Sequence, residues 1–225
     1  MIVAIDGPAG SGKSTVARAL ARRLGFTYLD SGALYRAVTL LALERGADLE
    51  DGAALGRLAA ETAIELRERE HDYVQVIANG RDVSEEIRAP RVTGASSRVA
   101  AHRDVRKALL QKQRELIANG DYVAEGRDIG TVVAPGAPVK LFLTADPAER
   151  ARRRAAELGR RGIETGADEV RAAIEQRDLL DSTRSAAPLR AAEDAVVIDT
   201  TGLEVDQVVE RAAALVDEAR ASSSS

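Results

Sequence analysis

Residues 7–15 read GPAGSGKST, and IVAI at 2–5 leads into them through Asp6. IVAI is a short apolar, β-branched run stopped by Asp6-Gly7-Pro8, the pattern of a buried strand. From Lys13 onward, Val16, Leu20 and Leu24 recur about a helical turn apart, and Gly25 marks the stop. Gly7-x-x-x-x-Gly12-Lys13-Ser14 therefore lies between a strand and a helix, the context that a phosphate-binding P-loop requires. Glycines let the backbone curl so that successive N–H groups converge on phosphate oxygens. The following helix adds the positive end of its dipole. Lys13 supplies a full charge for the outer phosphates, and the Ser14 hydroxyl can ligate magnesium. Gly7, Pro8, Ala9, Gly10, Ser11, Gly12, Lys13, Ser14 and Thr15 are thus expected to hold a nucleoside triphosphate with its Mg2+.

Outward from the loop, FTYL at 26–29 reads as a second strand and Gly32–Arg45 as a second helix. Strand, loop, helix and strand in that order begin a parallel α/β domain. The middle of the chain changes character. A helix is expected over 53–62, followed by IELRE (64–68), YVQVI (73–77), an Asn79-Gly80 turn and RDVSEEI. Short strands joined by a tight turn predict a small antiparallel insertion. Helical pattern resumes near Arg91, breaks near His102 and runs to Asn119-Gly120. The α/β rhythm then returns with YVAE (122–125), the loop GRDIGTVVAPGAP and the strand VKLFLTA (139–145). Asp146-Pro147 opens an arginine-rich helix, with Asp146 as cap and Pro147 at its first position. A glycine-marked break at 159–166 precedes a helix to about Leu180. AVVID (195–199) is the last strand, and 205–219 the last helix.

Composition narrows the function. The 225 residues are 45% hydrophobic but only 3% aromatic, so the core is aliphatic. The net charge of −4 arises from 32 basic and 36 acidic residues, which argues against a general nucleic-acid surface. There is no cysteine, and His71 and His102 are the only histidines, so thiolate and histidine-rich metal sites are excluded. No apolar run approaches the ~20 residues of a membrane span, and the N-terminus lacks a signal-peptide pattern. A cytoplasmic protein is expected. The only lysines are Lys13, Lys107, Lys112 and Lys140.

The terminal phosphate then has three destinations. A GTPase switch would need Asn-Lys-x-Asp, and no lysine here follows an asparagine. The one D-x-x-G, at 199–202, lies far from a switch position. A hydrolytic motor would use an acid after an apolar strand, a part that Asp146 could play if it were not a helix cap. Transfer to a small acceptor needs cations around the migrating group and exclusion of water. Arginine suits both, since its planar fork grips phosphate oxygens in pairs. Arg36, Arg106, Arg127, Arg177 and Arg184 stand beside turns and loops. Arg150, Arg152, Arg153, Arg154, Arg160 and Arg161 form a run that fits either a cationic lid or a solvated helix face.

Taken together, IDGPAGSGKST, LDSGALYRA, NGRDVSEEIR, EGRDIGTVV, KLFLTA followed by ERARRR, and QRDLLDSTRSAAPL resemble the bacterial cytidylate kinases from Ile2 to about Ala219. The resemblance implies an α/β fold: a P-loop kinase core with a parallel five-stranded sheet flanked by helices, an acceptor-binding insertion and a short lid. It implies one domain over 1–220, with core at 1–30 and 103–220, insertion at 31–102 and lid at 150–166, and a disordered tail at 221–225. It implies phosphorylation of CMP and dCMP by ATP, in a monomer acting in pyrimidine metabolism.

By the same resemblance the acceptor site comprises Ser31, Tyr35, Arg36, Ser97, Arg106, Arg127, Asp128, Arg177, Asp181 and Arg184. Arg36, Arg127 and Arg184 would hold the acceptor phosphate. Ser97, Arg106 and Asp128 would face the cytosine, and Arg177 and Asp181 the sugar. Arg153 and Arg154 would close over the donor phosphates, joining Lys13 as catalytic cations. A carboxylate at 128 suits the cytosine amino group and would repel the uracil oxygen; Asp128 also fits a structural partner of Arg127. Ser31 stands where many members have threonine, and Leu179-Leu180 where charged residues often occur.

Overall fold

The computed structural model describes residues 1–69 and 73–223. His71 lies outside them. The central sheet contains β1 (Ile2–Asp6), β2 (Thr27–Asp30), β6 (Tyr122–Gly126), β7 (Val139–Thr144) and β8 (Val196–Asp199), all parallel, in the order β2-β6-β1-β7-β8. A parallel sheet must be covered on both faces, and alternation along β1 divides them. Val3 and Ile5 pack with α1 (Lys13–Leu24) and α8 (Val205–Ser223), whereas Ala4 joins Leu29, Ala124, Ile129 and Val133 on the other side. The chain leaves β1 towards β2 and leaves β6 towards β7, so the connections diverge between β1 and β6. A crevice therefore opens at the carboxyl ends of these neighbours.

The insertion begins with α2 (Ser31–Glu44) and α3 (Gly52–Glu61). An antiparallel sheet follows: β3 (Ile64–Arg69), β4 (Tyr73–Ala78) and β5 (Arg81–Asp82). Asn79 and Gly80, both at positive φ, turn β4 into β5, as the dipeptide predicts. A 3-10 turn (Glu86–Arg88) leads to α4 (Pro90–Ala101) and α5 (Arg103–Leu116), with the expected break at His102. Leu34, Leu55, Val76, Ile87, Val99 and Leu109 share one apolar cluster. The insertion is therefore welded to α5, and a boundary at 102 cuts through a continuous core.

Asp146 caps α6 (Pro147–Arg160), accepting from the N–H groups of Ala148 at 2.8 Å and Glu149 at 3.4 Å. The cap assignment is the one observed. The glycine-marked segment is short, because only six residues separate α6 from α7 (Ala167–Thr183). Two expectations differ in detail. The loop after β6 contains a π-helical turn (Ile129–Val133), and α8 continues through Ser223, so 221–223 are helical. Residues 224–225 lie outside the described residues. Among the described residues no helix is long and apolar enough to cross a membrane.

Candidate active site

The phosphate loop joins β1 to α1 over a cleft of about 1460 Å³. Gly7 has φ +150°, and a Cβ there would stand 2.0 Å from the Leu143 carbonyl oxygen, so the loop can leave the sheet only as glycine. Asp6, just before it, is buried and accepts from the N–H groups of Ile129 at 2.9 Å and Gly130 at 2.7 Å. The end of β1 thereby holds the π turn that follows Asp128. Burial pushes the Asp6 carboxyl up to about 6 despite these two hydrogen bonds.

Lys13 is 5% exposed and folds over its own loop, donating to the Pro8 carbonyl at 2.6 Å. Burial, with Arg127 next in size, lowers its ammonium from 10.5 to about 7. Burial and the neighbouring guanidinium groups thus outweigh Glu125 and Asp6 around this lysine, an electrostatic deficit that an anion relieves. Ser14 lines the same cleft from the first turn of α1.

The acceptor side is assembled from distant stretches of chain. Asp30 caps α2 through the Ala33 N–H at 3.1 Å and holds Arg36 Nη2 at 2.7 Å. Burial raises the Asp30 carboxyl but Arg36 outweighs it, and the net shift is downward. Arg127 Nε donates to Asp181 Oδ2 at 2.9 Å, with Arg177 Nε 3.9 Å from the same oxygen and Arg184 Nη1 3.6 Å from Asp181 Oδ1. Burial would raise Asp181 as well, but Arg127, Arg177 and Arg184 hold it low. Burial and the Arg127 charge push Arg177 down to about 10. One carboxylate is thus shared by three guanidinium groups.

Asp128 binds Arg106 Nη2, and Arg106 Nη1 reaches the Ala100 carbonyl at 3.2 Å. The Arg106 guanidinium also lies 5.4 Å above the Tyr35 ring centre. Arg184 Nη2 stands 3.9 Å from Asp128 Oδ1. Asp128 is therefore not the partner of Arg127, which pairs with Asp181. Ser31 and Ser97 are buried side chains in the cleft wall. All ten residues expected at an acceptor site line this one cleft with the loop.

The two arginines expected in a lid differ. Arg153 is tied down, donating to the Thr200 carbonyl at 2.7 Å, Thr200 Oγ1 at 2.8 Å and Glu149 Oε1 at 2.8 Å. Arg154 pairs with Glu157 at 2.7 Å. Both line the cleft.

Sequence reasoning missed Asp6, Asp30, Glu125, Thr200 and Arg88. Glu125 accepts from the Tyr28 hydroxyl and faces Lys13, helping to keep it charged. Arg88, the last residue of NGRDVSEEIR, enters the cleft from the 3-10 turn. A buried acid at a strand end beside a phosphate loop was the available signal for Asp6 and Glu125.

Two facing sites in one crevice, one of main-chain donors and one of guanidinium groups, define a P-loop kinase with a small anionic acceptor. The comparisons with known proteins agree. A family model described as Cytidylate kinase matches residues 3–218, and the chain belongs to the cytidylate kinase family, a group of nucleoside monophosphate kinases. A cytidylate kinase of Carboxydothermus hydrogenoformans is 53% identical over 209 residues, covering 93% of this chain and 94% of that one. One from Pelotomaculum thermopropionicum is 49% identical over 218 residues, covering 97% and 96%. A bifunctional pantoate ligase/cytidylate kinase of Synechococcus sp. is 52% identical over 210 residues; the match covers 93% of this chain but 44% of that protein. A solved structure of an uncharacterised protein from Eubacterium ventriosum shares the fold, with TM-score 0.53, 12% identity and coverage of 96% and 98%.

Proposed function

We propose that the protein transfers the terminal phosphoryl group of ATP to CMP and dCMP, through the residues assembled in this cleft. The observation that carries these site roles is the surplus of buried cations opposite Lys13. Arg36 Nε, Arg177 Nε and Arg184 Nη2 are buried and have no hydrogen-bond partner among the described residues. Buried guanidinium atoms left unfilled are costly, and a phosphate monoester dianion would fill them.

In this reading the loop N–H groups and Lys13 hold the donor, while Arg36, Arg127 and Arg184 hold the acceptor phosphate in line with it. The acceptor oxygen is already ionised, so no side chain has to remove a proton. Positioning and charge neutralisation suffice. Arg177 and Asp181 flank the sugar. Arg106, oriented by Tyr35 and Ala100, fixes the Asp128 carboxylate so that its remaining lone pairs meet the cytosine amino group. Ser97 completes that wall. Arg153 and Arg154 reach the transferring group when α6 closes, Arg153 exchanging its Thr200 contacts for phosphate.

The residues present also fit magnesium, which takes hard oxygen ligands and keeps several waters. The Ser14 hydroxyl would hold it beside the donor phosphates, where it would offset their charge. We place the enzyme in pyrimidine nucleotide metabolism, as a cytoplasmic monomer.

The test is ADP release from magnesium-ATP with CMP, dCMP, UMP, AMP or no acceptor. Turnover with CMP and dCMP well above the other three is expected. Equal turnover in all five would mean hydrolysis and end the proposal.

A further inference from the structure

Ala9, in the middle of the phosphate loop, is gripped from outside the loop at both peptide groups that flank it. Its N–H donates to Asp178 Oδ1 at 3.1 Å, and its carbonyl accepts from Arg150 Nη1 at 3.1 Å. The two side chains also bind each other, through Arg150 Nη1 and Asp178 Oδ2. Arg150 Nε reaches back to the Ala145 carbonyl at 3.1 Å, fastening the group to the end of β7. Gly10 lies directly on this turn of α6, where a Cβ would stand 2.8 Å from the Arg150 carbonyl oxygen. Arg150 is 8% exposed, so this member of the arginine run is neither a lid cation nor part of a solvated face.

The helix that supplies Asp178 also supplies Arg177 and Asp181. Successive positions on a helix differ by about 100°, so α7 turns Asp178 to the loop while Arg177 and Asp181 face the acceptor side. We infer that Arg150 and Asp178 are positioning residues for phosphoryl transfer: they set the peptide groups that flank Ala9, and so the aim of the loop's N–H groups, and tie that aim to α7. This rests on reading the loop as the donor site. Any hinge that moves α6 over the cleft then lies beyond Arg150, because Arg150 is anchored to the core.

The pair is tested with Asp178→Ala, Asp178→Asn and Arg150→Lys, by steady-state kinetics, calorimetry of CMP binding and thermal melting. Misaiming reacting groups by about 1 Å costs on the order of 10²-fold. Asp178→Ala is therefore expected to lose about 10- to 100-fold in kcat/KM for magnesium-ATP, while CMP binds the nucleotide-free protein within about twofold of wild type. Asp178→Asn keeps an oxygen for the Ala9 N–H and should fall between Asp178→Ala and wild type. Arg150→Lys keeps the charge but lacks the fork that spans Ala9, Ala145 and Asp178, and should lose donor efficiency like Asp178→Ala. Should Asp178→Ala fail to fold, the two conservative variants decide.

Donor kinetics within about twofold of wild type in all folded variants would overturn the inference. So would parallel losses of donor efficiency and CMP affinity, which would make the pair a general structural brace. A wild type that does not transfer to CMP overturns the underlying reading, and this inference with it. A wild type that transfers while the variants match it overturns the inference alone.

Discussion

In the proposed reading, the donor half of the cleft is presented by nine consecutive residues, 7–15, acting mainly through their main chain. The acceptor half draws Arg36 from α2, Arg88 from the 3-10 turn, Arg106 from α5, Arg127 from just after β6, Arg177 from α7 and Arg184 from the residue that ends it. The difference is physical. A phosphate tail is the same in every triphosphate, so a local curl of N–H groups suffices for it. A particular base, sugar and phosphate present different groups in different directions, so their site needs side chains from several elements. Arg36, Arg106, Arg127, Arg177 and Arg184 are each paired in turn with a carboxylate: Asp30, Asp128 or Asp181. The donor half should therefore fail abruptly when its one charged side chain is removed, and the acceptor half should change its selectivity by degrees.

The largest effect is expected at Lys13. Lys13→Ala removes the only side-chain charge the loop itself offers, and kcat should fall by at least about 10²–10³-fold in the ADP-release assay. The melting temperature should hold or rise, because a buried and electrostatically disfavoured cation disappears. Turnover close to wild type would break the contrast by showing that main-chain donors alone suffice.

A smaller and finer effect concerns protons. The Lys13 ammonium is lowered from 10.5 to about 7, first by burial and then by Arg127. The unfolded chain therefore holds this proton more tightly, and the lysine's contribution to stability rises with pH between those two values. Phosphate pairing should restore the charge. Binding of ATP at pH 8 should accordingly take up close to one proton, read by calorimetry in buffers of different ionisation enthalpy. The uptake should vanish in Lys13→Met. Equal heats in all buffers would show that the lysine is charged before ATP arrives.

The same contrast governs what could be read from sequence. The loop was legible because its function is local: strand, glycines, lysine and helix are contiguous. The sheet followed from apolar runs, and the break at His102 from an interruption of helical period. Which carboxylate pairs with which group was not legible. Asp6 meets Ile129 and Gly130 across more than 120 residues, and Asp178 meets Ala9 across 169. Such pairs leave no periodic trace. Arg150 illustrates the cost: within an arginine-rich helix it reads as one more lid or surface charge, yet folding buries it under the phosphate loop. The π turn at 129–133 also went unseen, since its pattern differs from an ordinary loop only in hydrogen bonding that Asp6 and Asp128 complete.

The proposed base reading by Asp128 lies at the centre of the side-chain-built half. Its most direct measurement is the ratio of kcat/KM for CMP to that for UMP, in wild type and in Asp128→Asn. A good paired contact to a base is worth about 1–3 kcal/mol of discrimination. The ratio should therefore drop by about 10- to 100-fold, with kcat/KM for ATP little changed. An unchanged ratio would mean that Asp128 only anchors Arg106, and that the base is read elsewhere in the cleft.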